Sequence, residues 1–534
     1  MMEKLHLPFP RKWLAWKQGR QRLVLASILA ALSITLYAYS LGNPLIWDSR
    51  QVVEQDEAIR SLSNISEFFT SPGLRLEDRQ QGEERMLKYY RPVVRLTYAL
   101  IYQMSGSKPW SYHLVNVLLN AAVVVLLFYL ICELMGSPGL AFAAGLLYAV
   151  NPARGEAVYW VYGLSSIIMA LFAVLAVYWY HRRRDPLALL AFVLALLSRE
   201  SAVLLPVILL AYEFAFRAGE DRKRFLRLVP YLFVLLLYIP MRILTVGEGP
   251  PLSSIGAMPL LNTIAVIVQK YIKITIVPDG MVAVYPLSVR YEPTMEVFLS
   301  WIVLAIALGV GWYLWKNHRK LAFWYTWFFV WISIWFNVGR FGEYLMTEKG
   351  VYLASAGLCV VGAYYLLRWK YAIPVIAAVV LIHGLITVAR GTYWRDPLTF
   401  FKTAVAFDPA DVNAQYNLGR QYADAGLYTE AADCFRRVVR KRPKFSMALN
   451  NYGNCLYMLK DRAGAFEMWK RAYASDPTNG EAAYNLGMYY EQEGKLKIAL
   501  MYYREYARYE NVPQHIARRI LELEKEVKRI EKTN

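Results

Sequence analysis

Asp48 follows Trp47 where the first strongly apolar stretch of the chain gives way to a long polar segment. A carboxylate at the edge of a bilayer lies beside lipid headgroups, within reach of a membrane-embedded donor and a soluble acceptor. Asp48 therefore reads either as a proton-accepting base or as an aspartate that opens a turn or helix. Polar groups recur at the ends of later apolar stretches: Arg91 before Pro92, His113 to Asn116, Arg154 and Glu156 after Asn151-Pro152, Arg199-Glu200, and Glu348-Lys349 with Tyr352. Ionisable groups at membrane depth carry a desolvation penalty, so each needs a partner or a ligand. Each has a structural reading beside the chemical one. Arg199-Glu200 fits a local ion pair snorkelling to the interface, His113 a span cap bonded to backbone, and Arg91 a headgroup anchor. Lys270 and Lys273 fit anchors of an interfacial helix, and Glu156, flanked by apolar residues, is the hardest to assign to structure alone.

The elements that must position these groups are membrane helices. Of 534 residues, 57% are hydrophobic, 15% aromatic and only 19% charged, too little polar surface for a soluble protein of this size. Apolar stretches recur at about 23–42, 113–133, 138–152, 163–181, 186–198, 201–217, 226–246, 296–315, 321–338, 351–368 and 372–389, which predicts about eleven spans. The net charge of +19 comes from basic clusters between spans, a positive-inside pattern that argues against nucleic-acid binding. The N-terminus, 181–184, 222–224, 316–320 and 368–370 then share the cytoplasmic side. The loops of about 43–112 and 247–295, and everything after 390, fall outside the cytoplasm, on one face with Asp48, Glu156, Arg199 and Lys349. Within those loops, 92–104 predicts an interfacial amphipathic helix and 260–277 an interfacial or re-entrant one. The first span reads as a retained anchor, and the four cysteines, which show no ligand spacing, as structural.

After residue 390 the chain changes character. Pro409, Pro443 and Pro477 are spaced by 34, and Asn417-Leu418-Gly419, Asn451-Tyr452-Gly453 and Asn485-Leu486-Gly487 repeat at the same interval. Ala431, Ala465 and Ala499, and the aromatics Phe435, Trp469 and Tyr503, keep that register. This is the tetratricopeptide pattern, with glycine and alanine where paired helices touch and an aromatic filling the gap. It predicts repeats at about 412–445, 446–479 and 480–513, a partial unit before them, and a capping helix at 513–531.

Taken in order, these segments resemble the transmembrane-and-tetratricopeptide-repeat O-mannosyltransferases and their bacterial relatives, of the GT-C class of membrane glycosyltransferases. The carriers are the Trp47-Asp48 loop, Arg91-Pro92, His113 to Asn116, Asn151-Pro152 through Glu156-Ala157-Val158, Ser198-Arg199-Glu200, Glu348-Lys349 with Tyr352-Leu353, and the repeats. Where that family favours Glu-Arg-Tyr, this chain has Glu348-Lys349-Gly350, and where it shows two adjacent acids, Ser49 follows Asp48. The resemblance implies an all-α fold, a GT-C transmembrane domain over 1–390 and an extracytoplasmic repeat solenoid over 391–534. It implies inverting transfer of a sugar from a polyprenyl-phosphate donor to Ser/Thr hydroxyls of a protein recruited by the repeats. Asp48 is then the base; Arg199 grips the leaving phosphate, helped by Lys349, Arg91, Arg154, Lys270 and Lys273. Glu156, His113, Glu200, Glu348 and Tyr352 support the site. No cofactor is expected, and without a second acid beside Asp48 no metal is either. A bacterial inner membrane with periplasmic repeats is favoured over the endoplasmic reticulum. The competing readings are the same donor with a lipid or polysaccharide acceptor, and a non-enzymatic membrane repeat scaffold or transporter.

Overall fold

A computed structural model describes residues 18–71, 75–78, 85–217, 219, 221–246, 255–279, 285, 287, 289–336, 345–509 and 513–533. The chain divides into two compact units, Met1–Leu76 with Lys88–Asp396, and Glu77–Leu87 with Pro397–Asn534. Apart from two short paired strands, Arg75–Asp78 and Arg85–Lys88, the regular structure described is helical.

Counting only the longer helices, the first unit runs α1 (Gln18–Tyr37), α2 (Pro92–Ser105), α3 (Pro109–Met135), α4 (Pro138–Val150), α5 (Leu164–His181), α6 (Asp185–Leu196) and α7 (Leu205–Phe216). It continues with α8 (Val229–Val246), α9 (Ala257–Ile276), α10 (Met295–Asn317), α11 (Arg319–Ile332), α12 (Val351–Leu366) and α13 (Ala372–Gly391). A helix thus stands at each of the eleven positions expected for spans, and α2 and α9 at the two expected interfacial ones. Among the described residues, seven helices are long and apolar enough to cross a membrane, while α4 and α6 are apolar but shorter. At 1.5 Å per residue, the 12 residues of α7 and the 14 of α11 reach about 20 Å, less than a bilayer core. Each is extended by a 3₁₀ turn, Glu200–Leu204 before α7 and Ser333–Phe336 after α11. The first of these turns carries Glu200 and Ser201 and follows directly on Arg199.

Proline opens α2, α3 and α4, where its missing N–H is one the helix leaves unpaired anyway. Gly136, at φ 68°, ends α3 in the left-handed conformation that favours glycine. The bundle's basic end is closed by ion pairs. Glu133 at the end of α3 meets Arg22 of α1 at 3.0 Å and Arg182 after α5 at 3.2 Å, and Arg227 pairs with Asp185 at the start of α6. Segments that the charge pattern assigns to one side of the membrane therefore meet at one end of the fold. All four cysteines are buried free thiols.

The second unit consists of α14 (Pro397–Phe407), the pairs α15/α16 (Val412–Asp424, Tyr428–Lys441), α17/α18 (Ser446–Met458, Arg462–Ser475) and α19/α20 (Gly480–Gln492, Leu496–Tyr509), then α21 (Gln514–Thr533). The repeat chemistry is met atom by atom. A Cβ on Gly419 would come within 2.9 Å of Phe435, one on Gly453 within 2.6 Å of Trp469, and one on Gly487 within 2.9 Å of Tyr503. Gly453→Val should therefore destabilise this unit by about 1–3 kcal/mol, the usual range for overpacking. Urea unfolding followed by circular dichroism of the wild-type and variant chains checks it; an unchanged midpoint would show that the helix pair is loose.

Candidate active site at one end of the bundle

The turns opposite the basic end are tied together by hydrogen bonds from helix side chains. Asn116 of α3 donates to the carbonyls of Val158 (3.3 Å) and Trp160 (3.1 Å), and Tyr98 of α2 donates to that of Val161 (2.9 Å). Asn151 accepts from the Ala153 N–H (3.0 Å) and donates to the Thr275 carbonyl (2.9 Å). The Val93 N–H bonds the Leu197 carbonyl (3.2 Å), joining the start of α2 to the end of α6. The 151–163 turn is thereby fixed from α2, α3 and α9. At Gly163 any Cβ would strike the Ala157 carbonyl, so the turn closes only with glycine there.

Three charge pairs organise this end. Glu156, almost fully buried, receives the Lys349 ammonium at 3.3 Å and the Lys349 backbone N–H at 3.0 Å, across 193 residues of sequence. The ammonium also sits 4.0 Å from the centre of the Trp160 ring, a cation–π contact. Glu200 takes the Arg91 guanidinium as a fork, at 2.7 and 3.2 Å, and Arg91 reaches on to the hydroxyls of Tyr162 (3.2 Å) and Ser165 (3.4 Å). Glu348 accepts from Arg390 at 2.7 Å and from Tyr285 at 3.1 Å. Burial would raise the Glu200 carboxyl, but the charge and hydrogen bond of Arg91, with Arg199 behind them, hold it well below the usual carboxylate range. The local Arg199–Glu200 pair open from sequence is not what forms: Glu200 turns to Arg91, and Arg199 donates instead to the Ser166 hydroxyl.

Burial, then the like charge of Arg91, draws the Arg199 guanidinium below its usual range. An arginine remains charged regardless. Arg199 and Lys349 line one pocket with Ser166, Ser201, Trp331 and Tyr352. Its described lining contains no carboxylate. Lys349 is already matched by Glu156, so the positive charge in excess here is that of Arg199, bonded to a neutral hydroxyl, which makes this a place for a negatively charged group.

Asp48 is the first residue of a short helix, Asp48–Arg50, so it lies one position inside the cap, which is Trp47. Trp47 has φ 54°, a conformation that an L side chain rarely adopts, and stacks on Trp160 with ring centres 5.1 Å apart. Half-buried Asp48 stands within electrostatic range of Lys349, Tyr89 and Tyr162. Burial first, and then the charges of Glu200 and Asp48 against that of Arg91, raise the Tyr89 phenol above its usual range.

The other expected site residues fall elsewhere. Arg154, 0% exposed, bonds the Tyr148 carbonyl and Asn120 and lies 3.6 Å from the Tyr148 ring centre and 5.0 Å from that of Tyr352. Tyr352 also donates to Asn120 at 2.8 Å. Arg154 is therefore enclosed inside the bundle and does not line the pocket of Arg199. Lys270 pairs with Glu296 at 2.9 Å and Lys273 with Asp279 at 3.1 Å, so neither is brought to Arg199. His113 is buried beside the backbone of Asn43 and Pro44. Sequence reasoning missed Trp160, Tyr162, Ser166, Ser201, Trp331 and Arg390. Trp160, two aromatics before Gly163 in a turn already marked by Glu156, had the readable signal; neutral donors within apolar runs had none.

The tetratricopeptide-repeat family profile matches residues 401–444 and 416–479. A protein O-mannosyl-transferase of Caenorhabditis elegans is 25% identical over 457 residues, 80% of this chain and 64% of that protein. Human protein O-mannosyl-transferase TMTC1 is 23% identical over 516 residues, 80% of this chain and 56% of that one. The chain thus spans little more than half to just under two-thirds of the length of these relatives. Among solved structures, ArnT from Cupriavidus metallidurans aligns with a TM-score of 0.38 at 14% identity, over 86% of this chain and 79% of that one, too distant to support any argument. Over four-fifths of its length, from helical membrane unit to repeats, this chain resembles the protein O-mannosyl-transferases.

Proposed function

We propose that this protein is an inverting membrane glycosyltransferase that moves a sugar from a polyprenyl phosphate to a Ser or Thr hydroxyl of a protein at the extracytoplasmic face. The observation that carries the reading is a pocket whose described lining holds Arg199 and the Glu156-bound Lys349, with Asp48 in electrostatic range of Lys349. The acceptor oxygen attacks the anomeric carbon, its proton passes to the Asp48 carboxylate, and the bond from that carbon to the phosphate oxygen breaks with its electron pair going to the phosphate. The lipid phosphate leaves with one more negative charge than it had as a diester, and Arg199 and Lys349 stabilise that charge where it develops. Glu156 holds Lys349 in place, and the Arg91–Glu200 fork fixes the turn that carries Arg199. The repeats raise the local concentration of the protein acceptor.

The test is transfer of radiolabelled sugar from polyprenyl phosphate to candidate proteins by the purified full chain, with and without EDTA. Label should enter protein and resist EDTA. Label in glycan alone would move the acceptor to the lipid or polysaccharide class, and no transfer to either would leave a scaffold.

A further inference from the structure

We infer that Ser201 and Trp331 complete a phosphate site with Arg199 and Lys349, and that this pocket takes the phosphate and first isoprene units of the donor, leaving the sugar outside it. The inference rests on the reading above that the leaving group is a polyprenyl phosphate. Ser201, 7% exposed in the turn before α7, and Trp331, 3% exposed near the end of α11, both line the pocket. The Ser201 hydroxyl and the Trp331 indole N–H are buried without a hydrogen-bond partner among the described residues. Buried polar groups are rarely left so unless something else completes them. An indole nitrogen can only donate. The indole's missing partner must therefore be an acceptor, and the Ser201 hydroxyl can donate to the same one.

The rest of the lining narrows which acceptor. A sugar presents hydroxyls that donate as well as accept, and needs acceptors around it. Here Ser166 already accepts from Arg199, and no carboxylate, the strongest acceptor for a sugar hydroxyl, is present among the described lining residues. An ionised phosphate diester offers only acceptor oxygens and a negative charge, which suits the Arg199 guanidinium and two neutral donors, with the Glu156-held Lys349 beside them. Met169, Ile334 and Leu353 line the same pocket and give a prenyl chain an apolar surface. The sugar then lies toward Lys349, on whose side Glu156 and Asp48 are found.

The test measures binding by the full-length protein in detergent, with farnesyl phosphate, farnesol and inorganic phosphate as probes. Wild type should bind farnesyl phosphate more tightly than either control. Ser201→Ala and Trp331→Phe should each weaken farnesyl phosphate about tenfold, as loss of a hydrogen bond to a charged group does. Farnesol binding should not move, and Ser201→Thr, which keeps the hydroxyl, should stay near wild type. Unchanged farnesyl phosphate binding in both variants would overturn the assignment of Ser201 and Trp331 while leaving the glycosyltransferase reading in place. Equal weakening of farnesol would overturn it too, by showing that the residues only shape an apolar slot. Inorganic phosphate binding as tightly as farnesyl phosphate would overturn the isoprene part. Failure of wild type to bind farnesyl phosphate at all would remove the lipid-phosphate reading itself. Should Trp331→Phe fail to fold, Ser201→Ala with Ser201→Thr decides.

Discussion

Asp48→Asn should reduce transfer by about 10²–10⁴-fold, the range that a positioned general base contributes, with donor binding and melting temperature close to wild type. Asparagine keeps the size and hydrogen-bonding outline of the side chain but cannot take up a proton at neutral pH. Asp48 is half-exposed in a three-residue helix, and the placement of that helix comes from the stacking of Trp47 on Trp160 and from backbone bonds such as Ser49 N–H to the Ile46 carbonyl (3.1 Å). The measurement is the single-turnover rate beside a thermal melt. A variant that transfers at the wild-type rate removes Asp48 from the base role and leaves it an aspartate that starts a helix.

Arg199→Ala should lower transfer by about 10²–10³-fold, comparable to deleting one donor from a site that stabilises developing negative charge. Arg199→Lys should recover part of that, since lysine restores the charge but not the planar fork. The loss should appear in the chemical step more than in donor affinity, because the phosphate gains charge as the bond breaks and the guanidinium is worth more then than before. The neighbouring Arg91 cannot take over: its fork is already held by Glu200. Rapid-quench measurement at saturating donor separates the two effects. An equal fall in binding and rate would make Arg199 an anchor for the ground state only.

The positions of the helices were legible because a membrane span must satisfy a composition and a length, and the repeats because three copies share a 34-residue register. What was hidden was pairing. Glu156 finds Lys349 across 193 residues and Arg91 finds Glu200 across 109, and no local spacing encodes either partner. Lys270 and Lys273 looked like donor ligands because cations near an outer loop resemble one another in sequence; they pair with Glu296 and Asp279 and are not among the residues lining the pocket of Arg199. Arg154 lies away from that pocket for a different reason. Its neighbours along the chain are at the bundle end, but its side chain turns inward to Tyr148 and Asn120. The charge pattern assigned polar turns to one face, and the structure draws Glu156, Lys349, Arg91, Glu200 and Arg199 to one end of the bundle.

Gly350 stands beside Lys349 where related chains are expected to carry tyrosine, and here the Trp335 indole nitrogen and the Tyr271 hydroxyl already occupy the space that even a Cβ would need. A side chain at 350 requires that 335 or 271 first become smaller, and the enlarged 335 and 271 in turn forbid anything but glycine. The wall behind Lys349 is therefore closed by three residues that fit only together: a larger residue at 350 would have to displace the Trp335 and Tyr271 rings, and with them the turn that carries Lys349.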